Sequence, residues 1–470
     1  MFSLPIVAAH PDAIPLTLVT KAGLDAWSND QADVLRAWIG ATGFLGGSGE
    51  TCLIASADGT LARVLVGLGD GLDHWVCGRL ACGLPEGTYW LDEMVGLEKS
   101  AENQAATWLV LSWCLGAYRF DRYKTATSDA PAILVWPDDV DRAYVEGAAY
   151  AALLTRDLIN TPAEDMGPDA LALAAETLAV AHGADFKAIV GDELLSENFP
   201  AIHAVGRAAS KAPRLIDLVW GDADAPKVTL VGKGVCFDSG GLDIKSSSGM
   251  RFMKKDMGGS ATVLGLADWI MRAGLPVRLR VLVPAVENAI AGNAFRPGDV
   301  VATRKGPTIE VGNTDAEGRV VLSDALALAC EESPDLVIDC ATLTGAARVA
   351  LGPELPALFS PDDGLAEDIL EAGLMNNDPM WRLPLWAGYQ RLIASKTADV
   401  SNSGESGLAG AITAALFLKT FVDDGIPWVH LDLFGWNPDD KPGRPVGGEA
   451  YAQRALFEVI RKRFACVNVD

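Results

Sequence analysis

The stretch that decides the fold runs from Lys227 to Gly241 and reads KVTLVGKGVCFDSGG. Its first half is a short, apolar run, which is typical of a strand buried on both faces of a sheet. Its second half turns to glycines and charged residues, and glycine permits sharp turns and a close approach of the backbone. On its own, this second half would fit a solvated glycine-rich loop equally well.

Later in the chain the same alternation continues. Apolar runs typical of buried strands lie at 277–286 (VRLRVLVPAV), 335–343 (DLVIDCATL) and 427–436 (PWVHLDLFGW). Stretches of helical length and periodicity lie between them, at Ser260–Ala273, Arg319–Glu332 and Leu408–Val422. Strands that alternate with helices predict an α/β domain with a central, mostly parallel sheet flanked by helices. Ligands bind such sheets beyond the carboxyl ends of the strands, so the polar residues found there are the first candidates for a site.

With 470 residues the chain exceeds the size of a single core, and we expect two domains. Short apolar runs separated by Gly/Asp turns indicate a smaller N-terminal α/β domain over residues 1–140. A helix predicted over residues 139–158 stops before Pro162, which places a connecting helix and linker at 141–165. Residues 166–470 then form the larger C-terminal domain.

Charge and composition exclude several classes of protein. The 62 acidic and 38 basic residues give a formal charge of −24, which would repel nucleic acid and anionic lipid. The sequence contains no span of about 20 uncharged apolar residues, the pattern that would predict a membrane helix. The eight cysteines have no regular spacing and do not suggest a disulfide framework, so we expect a cytoplasmic protein.

Three polar segments concentrate the candidate chemistry. They are Gly232–Lys245 (GKGVCFDSGGLDIK), Met253–Gly259 (MKKDMGG) and Val311–Arg319 (VGNTDAEGR). Asp256 and Asp315 each precede a predicted helix, and capping of that helix is the plainer explanation for both. Asp315 and Glu317 stand two residues apart, however, so in extended backbone their carboxylates would point to the same side.

Within these segments the candidate set is four carboxylates and two lysines, while all five histidines lie elsewhere in the chain. The set is Asp238, Asp256, Asp315, Glu317, Lys233 and Lys245. Four carboxylates brought together would repel one another unless cations lay between them. A pair of divalent metal ions would remove that repulsion. Oxygen-rich ligation suits Zn, Mn and Mg about equally, so the residues alone leave the metal open.

These segments resemble the signatures of a known family. VGKGVCFDSGG, KKDMGG and above all NTDAEGR are similar to the signature segments of the leucyl (cytosol) aminopeptidase family, in order and in spacing. RDLINTP (156–162), DCATLTGA (339–346) and MWRLPL (380–385) extend the resemblance over residues 150 to 385. Before residue 118 the resemblance is hardly visible, and only YRFDRYK (118–124) follows the family there.

The resemblance implies a metal-dependent aminopeptidase with two divalent ions per subunit, Zn or Mn, with Mg as a third option. It implies that one ion is held by Asp238, Asp315 and Glu317, and the other by Lys233, Asp238, Asp256 and Glu317. It assigns Lys245 to polarising the scissile carbonyl group, and Arg319 to holding a bicarbonate that acts as general base. The residues that match the family's substrate cleft are Met253, Asn313, Thr342, Leu343 and Gly345, with Met253 and Leu343 in a pocket for Leu-like first residues.

The resemblance further implies peptide substrates and a homohexamer. Two departures affect the expected side-chain preference and metal: Asp243 and Ser246 flank Lys245, and His430–Trp436 (HLDLFGW) replaces a small-residue pattern. One alternative is a narrower dipeptidase, for example a cysteinylglycine hydrolase. The other is a non-catalytic or DNA-binding relative, against which the intact chemical positions and the charge of −24 argue.

Overall fold

The computed structural model describes residues 3–71, 73–125, 130–404 and 406–464. The chain divides into two compact units. One contains the described residues up to Ala149 together with Asp439–Val446, and the other contains Tyr150–Pro438 together with the described residues from Gly447 onward. The described residues include no helix long and apolar enough to cross a lipid bilayer.

The first unit is built on a mixed sheet. Its strands are β1 (Ile6–Val7), β2 (Ile14–Val19), β3 (Thr51–Ala55), β4 (Leu61–Gly67), β5 (Thr88–Val95) and β6 (Ile133–Val135). Its helices are α1 (Lys21–Asn29), α2 (Asp33–Thr42), α3 (Leu80–Gly83) and α4 (Lys99–Gly116), with a 3₁₀ helix at Val76–Arg79. The strand order is β1-β6-β5-β2-β4-β3, and only the β3–β4 pair is antiparallel. The α/β character predicted for this region is therefore present.

The second unit contains most of the strands. They are β7 (Asp185–Val190), β8 (Arg214–Trp220), β9 (Lys227–Gly232), β10 (Gly234–Asp238), β11 (Arg278–Asn288), β12 (Val300–Val301), β13 (Ile309–Glu310), β14 (Leu336–Ala341), β15 (Ala357–Phe359), β16 (Trp381–Arg382), β17 (Val400–Ser401), β18 (Trp428–Asp432), β19 (Trp436–Asn437) and β20 (Gly447–Gly448).

Helix α5 (Arg142–Asn160) contains the point, between Ala149 and Tyr150, at which the chain passes from the first unit to the second. The helices of the second unit come after it. They are α6 (Pro168–His182), α7 (Glu193–Ser196), α8 (Pro200–Gly206), α9 (Ser247–Met250), α10 (Gly258–Arg272), α11 (Glu317–Cys330), α12 (Gly345–Leu351), α13 (Asp363–Met375), α14 (Gly410–Lys419) and α15 (Gln453–Phe464), with 3₁₀ helices at Met253–Lys255 and Ala387–Ile393.

A central sheet organises this unit, with the strand order β16-β15-β18-β14-β9-β11-β8-β7 and with β10 paired to β11. The strands β11, β9, β14 and β18 are parallel to their neighbours in this run. Antiparallel strands flank this parallel core, because β8 pairs antiparallel with β11 and β15 pairs antiparallel with β18. The predicted α/β architecture with a mostly parallel central sheet is confirmed.

Helices α10 and α11 pack on the parallel strands, α10 on β9 and β14 and α11 on β9 and β11. Every residue of α11 is buried, and so is every residue of α10 up to Met271. A helix that is surrounded on all sides must be apolar nearly all round. Both helices begin at the carboxyl edge of these strands, where the polar segments of the sequence also lie.

Several predicted bounds were wrong by a few residues. The apolar start of 227–241 (KVTLVGKGV), which we expected to form one strand, is broken at Lys233 into β9 and β10, and the last predicted strand ends at Asp432. The helix expected from Arg319 begins two residues earlier, at Glu317, while the helix expected over 408–422 is shorter at both ends. Apolar periodicity marks the middle of an element, but the terminal turn depends on local capping, which periodicity does not report.

Candidate metal centre

The three polar segments meet at the carboxyl edge of the parallel strands. Lys233 lies between β9 and β10, and Asp238 is the last residue of β10. Asp256 follows the 3₁₀ helix that precedes α10, and Glu317 is the first residue of α11. Because the ends of neighbouring parallel strands share one edge of a sheet, segments that are distant in sequence converge there.

Lys233 occupies the centre of this cluster and is almost completely buried. Its Nζ atom lies 2.7 Å from Asp256 Oδ2 and 2.8 Å from Glu317 Oε1, and it donates a 3.0 Å hydrogen bond to the Thr342 carbonyl. Burial opposes the charged form of the lysine, but the carboxylates of Asp256 and Glu317 outweigh burial and raise its pKa. In this arrangement Lys233 is a cation that balances two buried carboxylates.

Lys245 balances the other two carboxylates. Its Nζ atom lies 2.8 Å from Asp238 Oδ2 and also contacts Asp315 Oδ1. Burial again disfavours the ammonium form, and again the nearby carboxylates, Asp238 first among them, raise the pKa. The four carboxylates thus share two lysines, one for each pair.

The four carboxylates carry more negative charge than the two lysines can balance. Oxygen atoms of Asp238, Asp315 and Glu317 all lie within 4.8 Å of one another. Burial, and next the charge of Asp238, raise the pKa of Glu317 and of Asp315. Glu317 Oε1 lies 2.8 Å from the Lys233 ammonium, and Asp315 Oδ1 contacts that of Lys245, so a cation that displaced either lysine would meet a carboxylate oxygen able to act as its ligand. The donor set therefore fits divalent cations.

Asp238 is held in place from two sides. Its Oδ1 atom accepts 2.8 Å hydrogen bonds from Asn288 Nδ2 and from the backbone of Gly240. Gly240 and Gly241 have φ angles of 87° and 62°, a left-handed conformation that glycine adopts at no steric cost. These two glycines reverse the chain directly after β10 and bring Lys245 back toward Asp238.

The two helix-capping explanations fail in the structure. Helix α10 begins after Met257 and α11 after Ala316, and neither helix has a side-chain hydrogen bond at its N-cap. Asp256 Oδ1 accepts instead from Thr342 Oγ1 at 2.8 Å. Asp315 lies in a turn rather than in extended backbone, so our reason for expecting it to converge with Glu317 was wrong. The two carboxylates meet because the turn passes directly into the first turn of α11.

Arg319 lies two residues into α11 and is buried. Its Nη1 atom donates a 2.8 Å hydrogen bond to the Asn402 carbonyl, whereas its Nε atom has no partner among the described residues. Burial lowers its pKa to about 10, against the opposing charges of Glu317 and Asp432. A buried guanidinium with a spare N–H suits a planar anion such as bicarbonate.

A cavity of about 380 Å³ opens on this cluster. Four of the five predicted substrate-cleft residues line it: Met253, Thr342, Leu343 and Gly345. The fifth, Asn313, is not among the lining residues, and its Oδ1 atom accepts a 2.8 Å hydrogen bond from the backbone of Asp315. Asn313 therefore shapes the turn that carries Asp315.

Sequence reasoning missed other residues of the cavity wall. Lys255, Arg348, Leu433 and Phe434 all line the cavity. Lys255 was visible as the second lysine of KKD, and Phe434 as part of the departure HLDLFGW, but neither pattern indicated a direction for its side chain. Asp243, the other departure, accepts hydrogen bonds from the backbone and hydroxyl of Thr314, which ties the loop after β10 to the turn before α11.

Comparison with known proteins places this arrangement in context. Residues 153–457 match the model of the cytosol aminopeptidase family, catalytic domain, and residues 14–137 match that of the M17 aminopeptidase N-terminal domain. The "Probable cytosol aminopeptidase" of Syntrophotalea carbinolica is 40% identical over 448 residues, which is 89% of this chain and 90% of the relative. That of Stenotrophomonas maltophilia is 40% identical over 426 residues, 86% of each chain.

Solved structures give the same picture. A crystal structure of cytosol aminopeptidase from Coxiella burnetii is 49% identical with a TM-score of 0.92, and the match covers 98% of this chain and 99% of the other. The bottromycin maturation enzyme BotP in complex with Mn is 35% identical with a TM-score of 0.85, over 97% of this chain and all of the other. Tomato leucine aminopeptidase, in a mutant form, is 30% identical with a TM-score of 0.84, over 97% and 96%.

Proposed function

The chain belongs to the M17 cytosol aminopeptidase family and is a metal-dependent aminopeptidase, and from that premise we propose which of its residues bind the metals, polarise the peptide and receive the substrate. The observation that carries the proposal is the convergence of four carboxylates and two lysines at one edge of the sheet. No observation favours the dipeptidase or the DNA-binding alternative.

Two divalent ions would share this cluster. One would be held by Asp238, Asp315 and Glu317, and the second by Lys233, Asp238, Asp256 and Glu317. The closeness of the three oxygens in the first set and the direct contact of Glu317 with Lys233 support this assignment. Manganese is the metal named with the relative BotP, and we propose Mn or Zn for this chain, with Mg as a third option.

When bound, the ions would polarise the scissile carbonyl group and lower the pKa of water to near neutrality. Lys233 must then lose its proton to become a ligand, and two nearby dications would reverse the effect of the carboxylates that now raise its pKa. The lysine would thereby change from the cation of the cluster to one of its neutral donors.

Lys245 would act on the substrate directly, and Arg319, which does not line the cavity, would act through an anion that it holds. Lys245 keeps its ammonium form beside Asp238 and Asp315, and it lines the cavity, so it is positioned to stabilise negative charge that develops on a carbonyl oxygen. Arg319 would use its unpartnered Nε to hold a bicarbonate as general base. Asp256 would accept the free α-amine of the substrate, which limits cleavage to N-terminal residues.

Met253, Thr342, Leu343 and Gly345 would contact the first residue of the peptide, and Asn313 would support them through the turn at Asp315. The apolar side chains of Met253 and Leu343 favour Leu-like residues. We further propose a cytoplasmic homohexamer, with the domain boundary in the connecting segment 141–165.

The test is hydrolysis of leucine p-nitroanilide by the purified protein after chelation and again after addition of Mn or Zn. We expect the metal to restore activity in the wild type, and we expect no measurable restoration in Lys233→Ala or Glu317→Ala. Each variant loses a ligand of the shared cluster, so metal affinity measured by calorimetry should fall together with the rate.

A lysine outside the cluster provides the control. Lys419 is exposed and lies near the end of α14, so Lys419→Ala should behave as the wild type does. Full metal-restored activity in Lys233→Ala would contradict the assignment of the metal ligands. A wild type that hydrolyses no N-terminal residue type with any of these metals would contradict the proposed activity itself.

A further inference from the structure

Two cations in the cavity wall are not used by the metal centre. Lys255 has only 5% of its surface exposed, yet it lines the cavity, and Arg348 lines the same cavity from the more exposed side. Lys255 comes directly before Asp256, and Arg348 lies on α12, beyond the carboxyl end of β14. We call this pair the cationic corner.

The cationic corner differs from the two lysines of the metal cluster in its partners. Lys233 and Lys245 each contact two carboxylates at close range. Lys255 Nζ comes no closer than 4.0 Å to its one ion-pair partner, Asp256 Oδ1. The guanidinium of Arg348 has no ion pair or hydrogen bond with any residue that the structure describes, and its carbonyl accepts from the backbone of Gly352 at 2.8 Å. The corner therefore holds charge that the protein itself does not neutralise.

A single aromatic ring connects the two cations. Lys255 Nζ lies 4.9 Å from the centre of the Phe434 ring, and the guanidinium carbon of Arg348 lies 5.2 Å from the same centre. The ring offers a weak cation–π contact and no hydrogen-bond acceptor. A buried ammonium needs an acceptor to offset the loss of water, so the best additional partner for this corner is an anion that enters the cavity.

Charge balance within the cavity favours the same partner. The acids near the corner are Asp256, which would bind metal and the substrate amine, and Asp432, whose two oxygens accept bonds from Leu343 and Thr344. Two dications would satisfy the acids of the metal cluster and leave Arg348, whose guanidinium stays charged in proteins, as the uncompensated cation of the wall. The field at the substrate would then be positive although the chain as a whole carries −24.

We propose that Lys255 and Arg348 bind a carboxylate of the peptide substrate, so that this aminopeptidase hydrolyses a substrate with that carboxylate faster than its neutral isostere. This inference rests on the proposed function, since it needs a peptide in this cavity. The carboxylate has two sources: the side chain of an N-terminal Glu or Asp, or the free C-terminus of a dipeptide. Lys255 is next to Asp256 in the chain, and Asp256 is the proposed partner of the substrate amine, so we expect the side chain of the first residue to be the source.

The experiment compares isosteric substrates that differ only in charge, using the metal-loaded enzyme. The first pair is glutamate and glutamine p-nitroanilide, which tests the side chain, and the second is Leu-Gly and Leu-Gly-amide, which tests the C-terminus. We expect kcat/KM for glutamate to exceed that for glutamine by about tenfold, as one charge-assisted contact would give. Arg348→Met and Lys255→Met should each lower this ratio, whereas Arg348→Lys should retain most of it.

Arg391→Met is the matched control, because Arg391 is an exposed arginine of the same unit that does not line the cavity. It should leave both ratios unchanged. If the variants change only the ratio of kcat/KM between Leu-Gly and Leu-Gly-amide, the cationic corner still binds a carboxylate, but its source is the C-terminus of dipeptides. Arg348 is exposed, so its variants should fold even if Lys255→Met does not.

The inference would be overturned if Arg348→Met and Lys255→Met hydrolyse the neutral substrates and keep the wild-type ratios of kcat/KM between charged and neutral substrates. The proposed function would then remain intact. A wild type without metal-dependent hydrolysis of any of the four substrates would overturn both.

Discussion

The position of Lys233 depends on the absence of a side chain at residue 318. A β-carbon built on Gly318 would lie 2.6–2.7 Å from the last carbons and the nitrogen of the Lys233 side chain, well inside contact distance. The end of a lysine is flexible, so Gly318→Ala would displace it without disturbing the core. We expect Gly318→Ala to lower metal affinity and kcat by about tenfold or more, with a melting temperature of the chelated protein close to that of the wild type.

Gly364→Ala is the control for this substitution, because Gly364 also lies in the first turn of a helix but meets only one side-chain atom, at 3.6 Å. It should change neither activity nor metal affinity. Calorimetric titration with Mn²⁺ would measure the metal affinity. Metal affinity equal to that of the wild type in Gly318→Ala would mean that Lys233 has a second position from which it serves equally well.

At the scale of single residues, the sequence indicated which side chains belong to the candidate site but not which of them face one another. The carboxylates and the two lysines were recognisable because charged residues at the end of a buried strand have no role in a core. The direction of Lys255 could not be predicted, since it depends on a 3₁₀ turn at Met253–Lys255 that no periodicity reports. The role of Asn288 was likewise hidden, because it lies at the end of a different strand, β11.

At the scale of elements, Asp324 joins three parts of the second unit. It lies within α11, and its Oδ2 atom accepts hydrogen bonds from the backbone of Ala201 at 2.8 Å and of Ile202 at 3.2 Å, at the start of α8. Its Oδ1 atom accepts from the backbone of Arg304 at 2.8 Å. Helix α8 has no side-chain cap from its own N-cap residue, so a neighbouring helix supplies the acceptor.

Asp324→Ala would leave these backbone donors without a partner in a buried position. We expect it to lower the free energy of unfolding by about 3 kcal/mol or more, since each orphaned donor costs a desolvation penalty. The measurement is the urea denaturation midpoint of the chelated protein. Asp362→Ala is the comparison, because Asp362 caps only its own helix through Leu365, and such a cap is worth about 1 kcal/mol. A smaller loss for Asp324→Ala than for Asp362→Ala would contradict the role of a shared cap.

The order and type of the elements were predictable where apolar runs were long. The cores of β11, β14 and β18 and of helices α10, α11 and α14 lie within the predicted ranges, because burial on both faces of a sheet imposes a continuous apolar sequence. The pairing of antiparallel β15 with β18 was not predictable, since β15 has only three residues and no turn connects the two strands.

At the scale of the whole molecule, assembly can be tested directly. Several large apolar side chains of the second unit are exposed in the single chain, among them Trp381 (61%), Trp386 (60%) and Leu408 (76%). Exposed tryptophans in this number suggest a surface that is covered by another copy of the chain. We expect light scattering to give six times the mass of one chain, and we expect Trp386→Glu to shift the distribution toward smaller species.

Val180→Glu is the control for assembly, since Val180 is also exposed (77%) but lies on α6, far along the chain from these tryptophans. It should leave the mass unchanged. A monomer in the wild type at micromolar concentration would exclude the hexamer, and an unchanged mass in Trp386→Glu would place the interface elsewhere.

The position of β18 between β14 and β15 has a consequence for synthesis on the ribosome. Both neighbours emerge first, and β18 follows roughly seventy residues after β15, a delay of about 3 to 14 s at ordinary elongation rates. If β14 and β15 fold before β18 arrives, each would have one unpaired strand edge during that interval, the kind of surface that pairs with foreign strands. The enzyme's yield in a cell would therefore depend on elongation speed and on chaperones that cover these edges until β18 arrives.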